Sequence, residues 1–366
     1  MNTYVTGSTV KQLREKRNMT QAELAEKIGV SSKTISKWET AKGLPDISLL
    51  QPLSQALGIS VIELMNGEHI INKNVSANML RSKFYDPGFN MKIAKFAHEQ
   101  GIPVHYYIAP KVWAWKEHRV KAIRRYVDKL YIIFPFEKEY FRSKGIEPHF
   151  EGNPLVDAIA ERCRRAPSRE AFFKENGLDS RPKVALLAGS RVSEIKANLR
   201  FMALLSERFP DKEFVVAGVE WIDRSVYEKF TAGTSVKFVC DRTYELLMHS
   251  EAAVVTSGTA TLETALIGIP ELVVFGIPWF YEKMMPYVVK IPYVSLVNIN
   301  LNREAVREMV VYHPSVDEAE VELRKIIEGG AERERMLRDF DELRAIIGGE
   351  GASDRFAAAM VSELKK

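Results

Sequence analysis

Cysteine, long apolar runs and targeting segments are scarce or absent in this 366-residue sequence. Its two cysteines, Cys163 and Cys240, have a spacing that suits neither a disulfide framework nor a metal site, so we expect two reduced thiols. The longest apolar stretches, such as 130–135 and 271–278, are far too short to cross a bilayer. The N-terminus is polar and lacks the pattern of a signal peptide. Together these features predict a cytoplasmic protein.

The composition and the distribution of charge are those of a globular chain with one basic part. Hydrophobic residues make up 46% and charged residues 27%, which excludes a disordered or fibrous protein. Residues 1–85 contain 11 Lys and Arg against 7 Asp and Glu, whereas the rest contains 41 of each kind. A basic excess confined to the N-terminal part is typical of a nucleic-acid partner for that part alone.

The pattern of apolar residues changes character along the chain. Residues 8–65 fit short helices with tight turns, whereas from about residue 87 apolar runs alternate with amphipathic stretches. Such alternation predicts parallel α/β units, with strands at 104–108, 130–134, 184–187, 214–216, 252–256 and 272–275. We therefore expect an all-α head (1–66), a linker (67–86), and an α/β body divided at 87–153 and 154–366.

The head contains the local signals of two helices joined by a sharp turn. Thr20 and Glu23 have the spacing of a capping box, in which each side chain bonds the other residue's amide. Gly29 suits a left-handed turn at the end of that helix, and Ser31 then caps a second helix over 32–39. This spacing predicts a helix-turn-helix, whose second helix enters the major groove of DNA.

The second helix has a polar face for DNA and an apolar face for the core. Ile35 and Trp38 fall on the core side, and Pro52 should delay a fourth helix until Leu50 or Gln51. Residues 20–60 resemble the Cro and phage-repressor type of helix-turn-helix, a resemblance that covers 9–65. It implies that the head binds duplex DNA, with a homodimer expected at specific sites, although an ordinary helical bundle is the alternative. The candidate DNA contacts are Gln21, Ser31, Ser32, Lys33, Thr34, Ser36 and Lys37.

A first candidate nucleotide turn lies at 256–263, where a predicted strand leads into a helix. Small residues let backbone amides approach an anion, and the helix N-terminus adds partial positive charge, so a diphosphate is the natural ligand. Glu263 lies inside the helix and could accept from both hydroxyls of a ribose. A capped strand–helix turn without a ligand is the alternative. The candidate residues of the turn are Ser257, Gly258, Thr259, Ala260 and Thr261.

A second turn of the same form follows the strand at 184–187. It contains Gly189, Ser190 and Arg191, and the planar guanidinium of the arginine suits a phosphate. Two such turns at the carboxyl ends of neighbouring strands would face one crevice, which is where α/β sheets bind nucleotides.

Several segments of the body resemble lipid-A-disaccharide synthase, namely 106–123, 134–141, 151–157, 186–195 and 256–263. The resemblance implies two Rossmann-like domains in a GT-B-like arrangement. It implies an inverting transfer of diacylglucosamine from UDP to diacylglucosamine 1-phosphate in lipid A biosynthesis, without a metal or other cofactor and with peripheral contact at the inner membrane. It assigns UDP binding to Arg191, to residues 257–261 and to Glu263, and it places Asn298 in the same cleft.

The sequence also departs from that family before residue 87. The family's first strand with its Gly-rich turn is missing, so we expect a truncated first domain. Asp86 directly precedes Pro87, whereas the family places its acidic residue one position earlier; Asp86 is either a shifted catalytic base or a coincidence of the junction. The expected enzyme would bind nucleotide with impaired transfer. The alternatives are a DNA-binding regulator that senses UDP or a UDP-sugar without chemistry, and a fusion artefact.

Two aromatic clusters allow two interpretations. Trp113 and Trp115 lie near Lys111 and Lys116, and a second group of aromatics and methionines spans 279–287. They either contact acyl chains and a membrane surface or pack in the core.

Overall fold

The structure, a computed structural model, describes residues 3–57 and 87–364 apart from 18, 41, 44, 46, 114–116, 277–291, 312–313 and 328. The chain divides into two compact units, Met1–Tyr106 with Arg119–Asp128, and Tyr107–His118 with Lys129–Lys366. The domain boundaries expected from the sequence remain a prediction.

Within its described residues, 3–57 with a few gaps, the head contains the helices α1 (Thr3–Lys16), α2 (Gln21–Ile28), α3 (Ser32–Glu39) and α4 (Ile47–Ala56). The predicted capping box is present, with the Glu23 amide 3.2 Å from Thr20 Oγ1 and the Thr20 amide 2.6 Å from Glu23 Oε2. Gly29 ends α2 with φ of 72°, and Ser31 caps α3. Ile35 and Trp38 are buried as expected, in a core completed by Val10, Leu13, Leu24, Ala25, Ile28, Leu50, Leu53 and Leu57.

The prediction for the fourth helix was wrong, because α4 begins at Ile47 and contains Pro52. Proline cannot donate the backbone hydrogen bond that this position would make, which disfavours it inside a helix. Leu50, Leu53 and Leu57 are fully or almost fully buried in the core of the head. We infer that the burial of these leucines stabilises the helix around Pro52.

A three-stranded sheet is formed by β1 (His105–Tyr107), β2 (Lys129–Ile132) and β3 (Pro148–Phe150), in that order. Strands β2 and β3 are parallel. The helices in this stretch of the chain are α5 (Pro87–Glu99), α6 (Val120–Tyr126) and α7 (Phe136–Ser143). The C-terminal helix α17 (Ala352–Leu364) places Phe356 against Tyr131 of β2, with ring centroids 6.0 Å apart.

A six-stranded parallel sheet has the strand order β6-β5-β4-β7-β8-β9. Its strands are β4 (Lys183–Leu187), β5 (Glu213–Gly218), β6 (Lys237–Cys240), β7 (Ser250–Thr256), β8 (Glu271–Gly276) and β9 (Glu308–Val311). Among the described residues, the helices in this part of the chain are α8 (Pro154–Arg164), α9 (Arg169–Asn176), α10 (Val192–Leu205), α11 (Arg224–Thr231), α12 (Thr243–Met248), α13 (Thr259–Ile267), α14 (Leu296–Leu301), α15 (Val316–Ile327) and α16 (Ala331–Ile347).

The six predicted strands are all present, and β3, β6 and β9 were not predicted. Strands β4, β5 and β7 are largely buried, as expected for a parallel sheet covered by helices. The chain runs outward from β4 to β6 and then returns to place β7 on the other side of β4. This reversal of strand order is the switch point at which open α/β sheets form a binding crevice.

Among the described residues, the helices are too short or too polar to span a membrane.

Candidate nucleotide site

The two predicted nucleotide turns leave the sheet side by side at the switch point. Leu187 of β4 is in register with Val255 of β7, so residues 188–191 and 257–259 emerge at the same carboxyl edge. The turns lead into α10 and α13, whose N-termini therefore point to this edge of the sheet. The structure thus brings together the two segments that the sequence analysis assigned to one crevice.

The turn after β4 already holds an internal anion. Glu194 Oε2 accepts from the backbone amides of Ser190 and Arg191 at 3.0 and 3.2 Å, and Glu194 Oε1 pairs with the Arg191 guanidinium at 2.7 Å. Gly189 has φ of 105°, and a Cβ there would lie 2.5 Å from Glu194 Oε2. The carboxylate thus occupies the amides that an anion would need, whereas the Arg191 side chain remains 77% exposed.

The turn after β7 is open at its outer side. Helix α13 has no side-chain cap at Gly258, and apart from the glycine and its chain neighbours no heavy atom of the described residues lies within 4 Å of where a Cβ would be. Thr259 is exposed, and Ala260 is half-buried. The Ser257 hydroxyl donates to the carbonyl of Val294 at 2.8 Å. The first-turn amides of α13 are therefore the better place for an anionic group.

Thr261 stabilises the turn rather than facing outward. Its side chain is fully buried, and its hydroxyl donates to the Gly258 carbonyl at 2.9 Å. The predicted direct contact of Thr261 with a ligand has no exposed surface to support it.

Glu263 lies in the second turn of α13 and is half-buried. Burial raises the pKa of its carboxyl, while the hydrogen bond from Tyr244 acts in the opposite direction. The Tyr244 hydroxyl donates to Glu263 Oε1 at 2.8 Å. Burial, followed by the charge of Glu263, raises the pKa of Tyr244, so its hydroxyl stays protonated at neutral pH.

Asn298 is enclosed by the fold. Its amide nitrogen donates to the Val306 carbonyl and to Glu308 Oε1, both at 2.8 Å, while its oxygen accepts from the amides of Ala305 and Val306. The side chain is fully buried. We therefore remove Asn298 from the candidate site, because its polar atoms are all used to hold the segment between α14 and β9.

Two residues that the sequence analysis missed form side-chain hydrogen bonds at the carboxyl edge of the sheet. Asn198 of α10 donates to Thr256 Oγ1 at 3.2 Å and accepts from the Gly276 amide at 2.9 Å, which ties α10 to the ends of β7 and β8. Trp221 is 47% exposed and donates from Nε1 to the Ser190 carbonyl at 3.3 Å. An asparagine at an otherwise apolar helix position was the available signal for the first; the second has no local motif.

Trp113 is held by packing and by a buried acid. Its Nε1 donates to Glu137 Oε1 at 3.0 Å, and its ring packs edge-on against Phe136 with centroids 4.9 Å apart. Glu137 is 1% exposed, and burial raises its pKa to about 7 against the opposing hydrogen bonds from Trp113 and the Phe134 amide. For Trp113 these contacts favour the packing interpretation.

The candidate DNA face of the head has the predicted exposure. Ser31, Ser32, Lys33 and Lys37 are exposed, and Thr34 and Ser36 are partly exposed. Gln21 instead donates from Nε2 to Glu39 Oε2 at 2.7 Å, and the same carboxylate accepts from Arg14 Nε at 2.6 Å.

Several predictions fall on residues outside the described part of the chain. They concern the linker at 67–86, Asp86 as a catalytic base, Trp115 and Lys116 as lipid contacts, and the aromatic cluster at 279–287.

The chain is similar to curated proteins that share one name. The lipid-A-disaccharide synthase of Anaeromyxobacter dehalogenans (strain 2CP-1 / ATCC BAA-258) is 36% identical over 287 residues, which cover 76% of this chain and 74% of that protein. The lipid-A-disaccharide synthase of Syntrophus aciditrophicus (strain SB) is 29% identical over 352 residues, which cover 92% of this chain and 89% of that protein.

The fold also resembles that of solved sugar-nucleotide enzymes. The UDP-GlcNAc 2-epimerase of Neisseria meningitidis, solved with UDP-GlcNAc, matches 87% of this chain and 90% of its own with a TM-score of 0.52 and 13% identity. This likeness supports the predicted GT-B-like α/β fold.

The family model described as lipid-A-disaccharide synthetase matches residues 18–354. This match begins within the head, well before Pro87, and so does not support the expected truncation at residue 87. Because it covers most of the chain, and because relatives more than 30% identical cover three quarters of it, the chain belongs to the lipid-A-disaccharide synthetase family of glycosyltransferases.

Proposed function

We propose that the body binds the UDP part of a UDP-sugar at the carboxyl edge of the six-stranded sheet. The observation that carries this proposal is the pairing of two turns at the switch point, one with an exposed Arg191 and one with an uncapped helix N-terminus. The diphosphate would lie on the first-turn amides of α13, with Arg191 supplying positive charge. Glu263 would accept from the ribose hydroxyls.

The family supports UDP-diacylglucosamine as the donor and diacylglucosamine 1-phosphate as the acceptor, at the inner membrane surface. An inverting transfer needs a base that takes the proton of the acceptor hydroxyl. The sequence offers Asp86 for this role, in a position restricted by the following proline. We therefore propose that the protein binds the donor nucleotide but is impaired in transferring its sugar.

Arg191→Ala should weaken UDP binding by roughly tenfold or more while changing uridine binding little, because the guanidinium has a phosphate partner only in UDP. Isothermal calorimetry with both ligands measures this. A matched control is Arg338→Ala, since Arg338 is 70% exposed, pairs with Glu334 on α16 and belongs to neither turn. Equal losses for UDP and uridine in the Arg191 variant would contradict the phosphate assignment.

A second function, DNA binding by the head, is favoured by a specific observation. Helices α2 and α3 are joined through the left-handed Gly29, and the exposed face of α3 carries hydroxyls and lysines. We propose that α3 enters the major groove as a recognition helix. On this reading the chain joins a nucleotide-sugar site to a DNA-binding head, and a regulator that senses a UDP-sugar is the alternative to an enzyme.

The full chain should bind a random duplex pool with an affinity that falls steeply as salt rises, because phosphate contacts release counterions. Exchanging Lys33 and Lys37 for alanine should make the fall of log affinity with log salt less steep, by about one unit of slope for each lysine. Fluorescence anisotropy measures the slope. Lys325→Ala, an exposed lysine of α15, is the control and should leave it unchanged. Salt-independent or absent binding would exclude the DNA-binding function.

A further inference from the structure

We propose that Tyr244 is a positioning residue, which holds one oxygen of Glu263 so that the other faces the ribose hydroxyls of the bound nucleotide. The inference rests on the proposed UDP site, and it adds a residue that no nucleotide motif of the sequence contains. Its starting point is the 2.8 Å hydrogen bond from the Tyr244 hydroxyl to Glu263 Oε1.

The two residues come from helices that follow consecutive strands along the chain. Tyr244 lies in the first turn of α12, which follows β6, and Glu263 lies in the second turn of α13, which follows β7. Helices α12 and α13 pack against each other. The hydrogen bond restricts the rotamers of the long glutamate side chain and ties its carboxylate to a second helix.

The hydrogen bond leaves half of the carboxylate available. Within the described part of the chain, Tyr244 is the one hydrogen-bond partner of Glu263, and it uses Oε1. Oε2 therefore keeps its capacity to accept hydrogen bonds, and a carboxylate oxygen can accept from two adjacent hydroxyls. This division of the two oxygens leaves Oε2 for the ribose diol.

The charges around the pair keep the roles of donor and acceptor fixed. Burial and the charge of Glu263 raise the pKa of Tyr244, so the phenol remains a donor. The Tyr244 bond opposes the effect of burial on Glu263 and favours its ionised form. The other titratable groups that act on Tyr244 are Arg162 and Cys163 of α8, and Arg162 itself pairs with Glu245 at 3.0 Å.

The test compares binding of UDP and 2′,3′-dideoxy-UDP by calorimetry in the full chain. The wild type should prefer UDP, Glu263→Ala should lose that preference, and Tyr244→Phe should reduce it three- to tenfold without changing the affinity for the dideoxy ligand. Without the Tyr244 hydrogen bond, Glu263 should ionise only at higher pH. In Tyr244→Phe the acid limit of the preference, which is the pH below which UDP is no longer preferred, should therefore move upward. Tyr140→Phe is the control, since that buried hydroxyl has no hydrogen-bond partner in the described residues and lies on α7.

The outcomes separate this inference from the proposed function. An unchanged preference in Glu263→Ala would overturn the ribose assignment and with it the positioning role, whereas a wild type that binds neither ligand would overturn the nucleotide site. Loss of preference in Glu263→Ala, together with wild-type preference in Tyr244→Phe or an equal loss for both ligands, would overturn the positioning role alone. If Tyr244→Phe fails to fold, 3-fluorotyrosine at position 244 serves instead. This near-isosteric phenol is a stronger donor and should move the acid limit of the preference downward; no movement would overturn the proposal.

Discussion

Replacing Lys183 with methionine should lower the free energy of unfolding of the body by about 3–5 kcal/mol. Lys183 and Glu213 face each other as register partners at the start of β4 and β5, with Nζ 3.0 Å from Glu213 Oε2. The two side chains are 0% and 1% exposed. Removing the cation would leave a buried carboxylate without a counter-charge, and its Oε1 already lacks a hydrogen-bond partner in the described residues.

Urea unfolding of the variants measures this effect. Lys212→Met is the matched control, because Lys212 pairs with Glu251 at 2.9 Å and the two side chains are 14% and 28% exposed, so water can solvate the remaining carboxylate and the loss should cost about 1 kcal/mol. Adding Glu213→Leu to Lys183→Met should recover much of the stability, since apolar replacement of both partners removes the unpaired charge. A Lys183→Met variant as stable as Lys212→Met would show that water or another cation reaches Glu213.

The position of this pair also separates stability from binding. Lys183 is at the amino end of β4, whereas the nucleotide turn begins after Leu187 at the carboxyl end. A folded Lys183→Met protein should therefore keep the UDP affinity of the wild type. The pair illustrates a limit of sequence reasoning, because a lysine and a glutamate thirty residues apart carry no local signal that they will meet in the core.

Features set by local chemistry were predictable from the sequence, whereas features set by tertiary contacts were not. The capping box at Thr20, the left-handed Gly29 and the apolar strands depend on a few consecutive residues, and the structure contains all of them. The start of α4 depends on burial of leucines against α1 to α3, and that burial outweighs the local effect of Pro52.

The same distinction applies to the candidate site. The two turns could be placed from their strand–turn–helix pattern, but which one is open depends on where side chains reach. Glu194 closes the first turn from the next helix, and Asn298 turns inward because Glu308 and the 305–306 amides bind it. Tyr244 could not be found at all without the packing of α12 on α13. A motif thus indicates which backbone approaches a ligand but not which atoms are already occupied.

Between pH 4.5 and 8 the ionisation of Glu137 should lower the unfolding free energy of the wild type by about 3 kcal/mol. The variant Glu137→Gln, which cannot ionise there, should not show this decrease. Burial raises the pKa of Glu137 from 4.5 to about 7. Because the folded-state pKa lies above the unfolded one, its stabilising contribution is complete below pH 4.5. That contribution is lost as the pH rises through about 7, where the folded protein must hold a buried carboxylate.

The measurement is the difference in unfolding free energy between wild type and Glu137→Gln at several pH values. This difference cancels the other titrating groups and should change by about 3 kcal/mol across the window, in favour of the variant at high pH. Glu139→Gln, on the exposed side of the same helix, should give a flat difference. Glutamine keeps an oxygen that can accept from Trp113 Nε1, so the variant removes the charge while preserving that hydrogen bond. A flat difference for Glu137→Gln would mean that the carboxylate is solvated when it ionises.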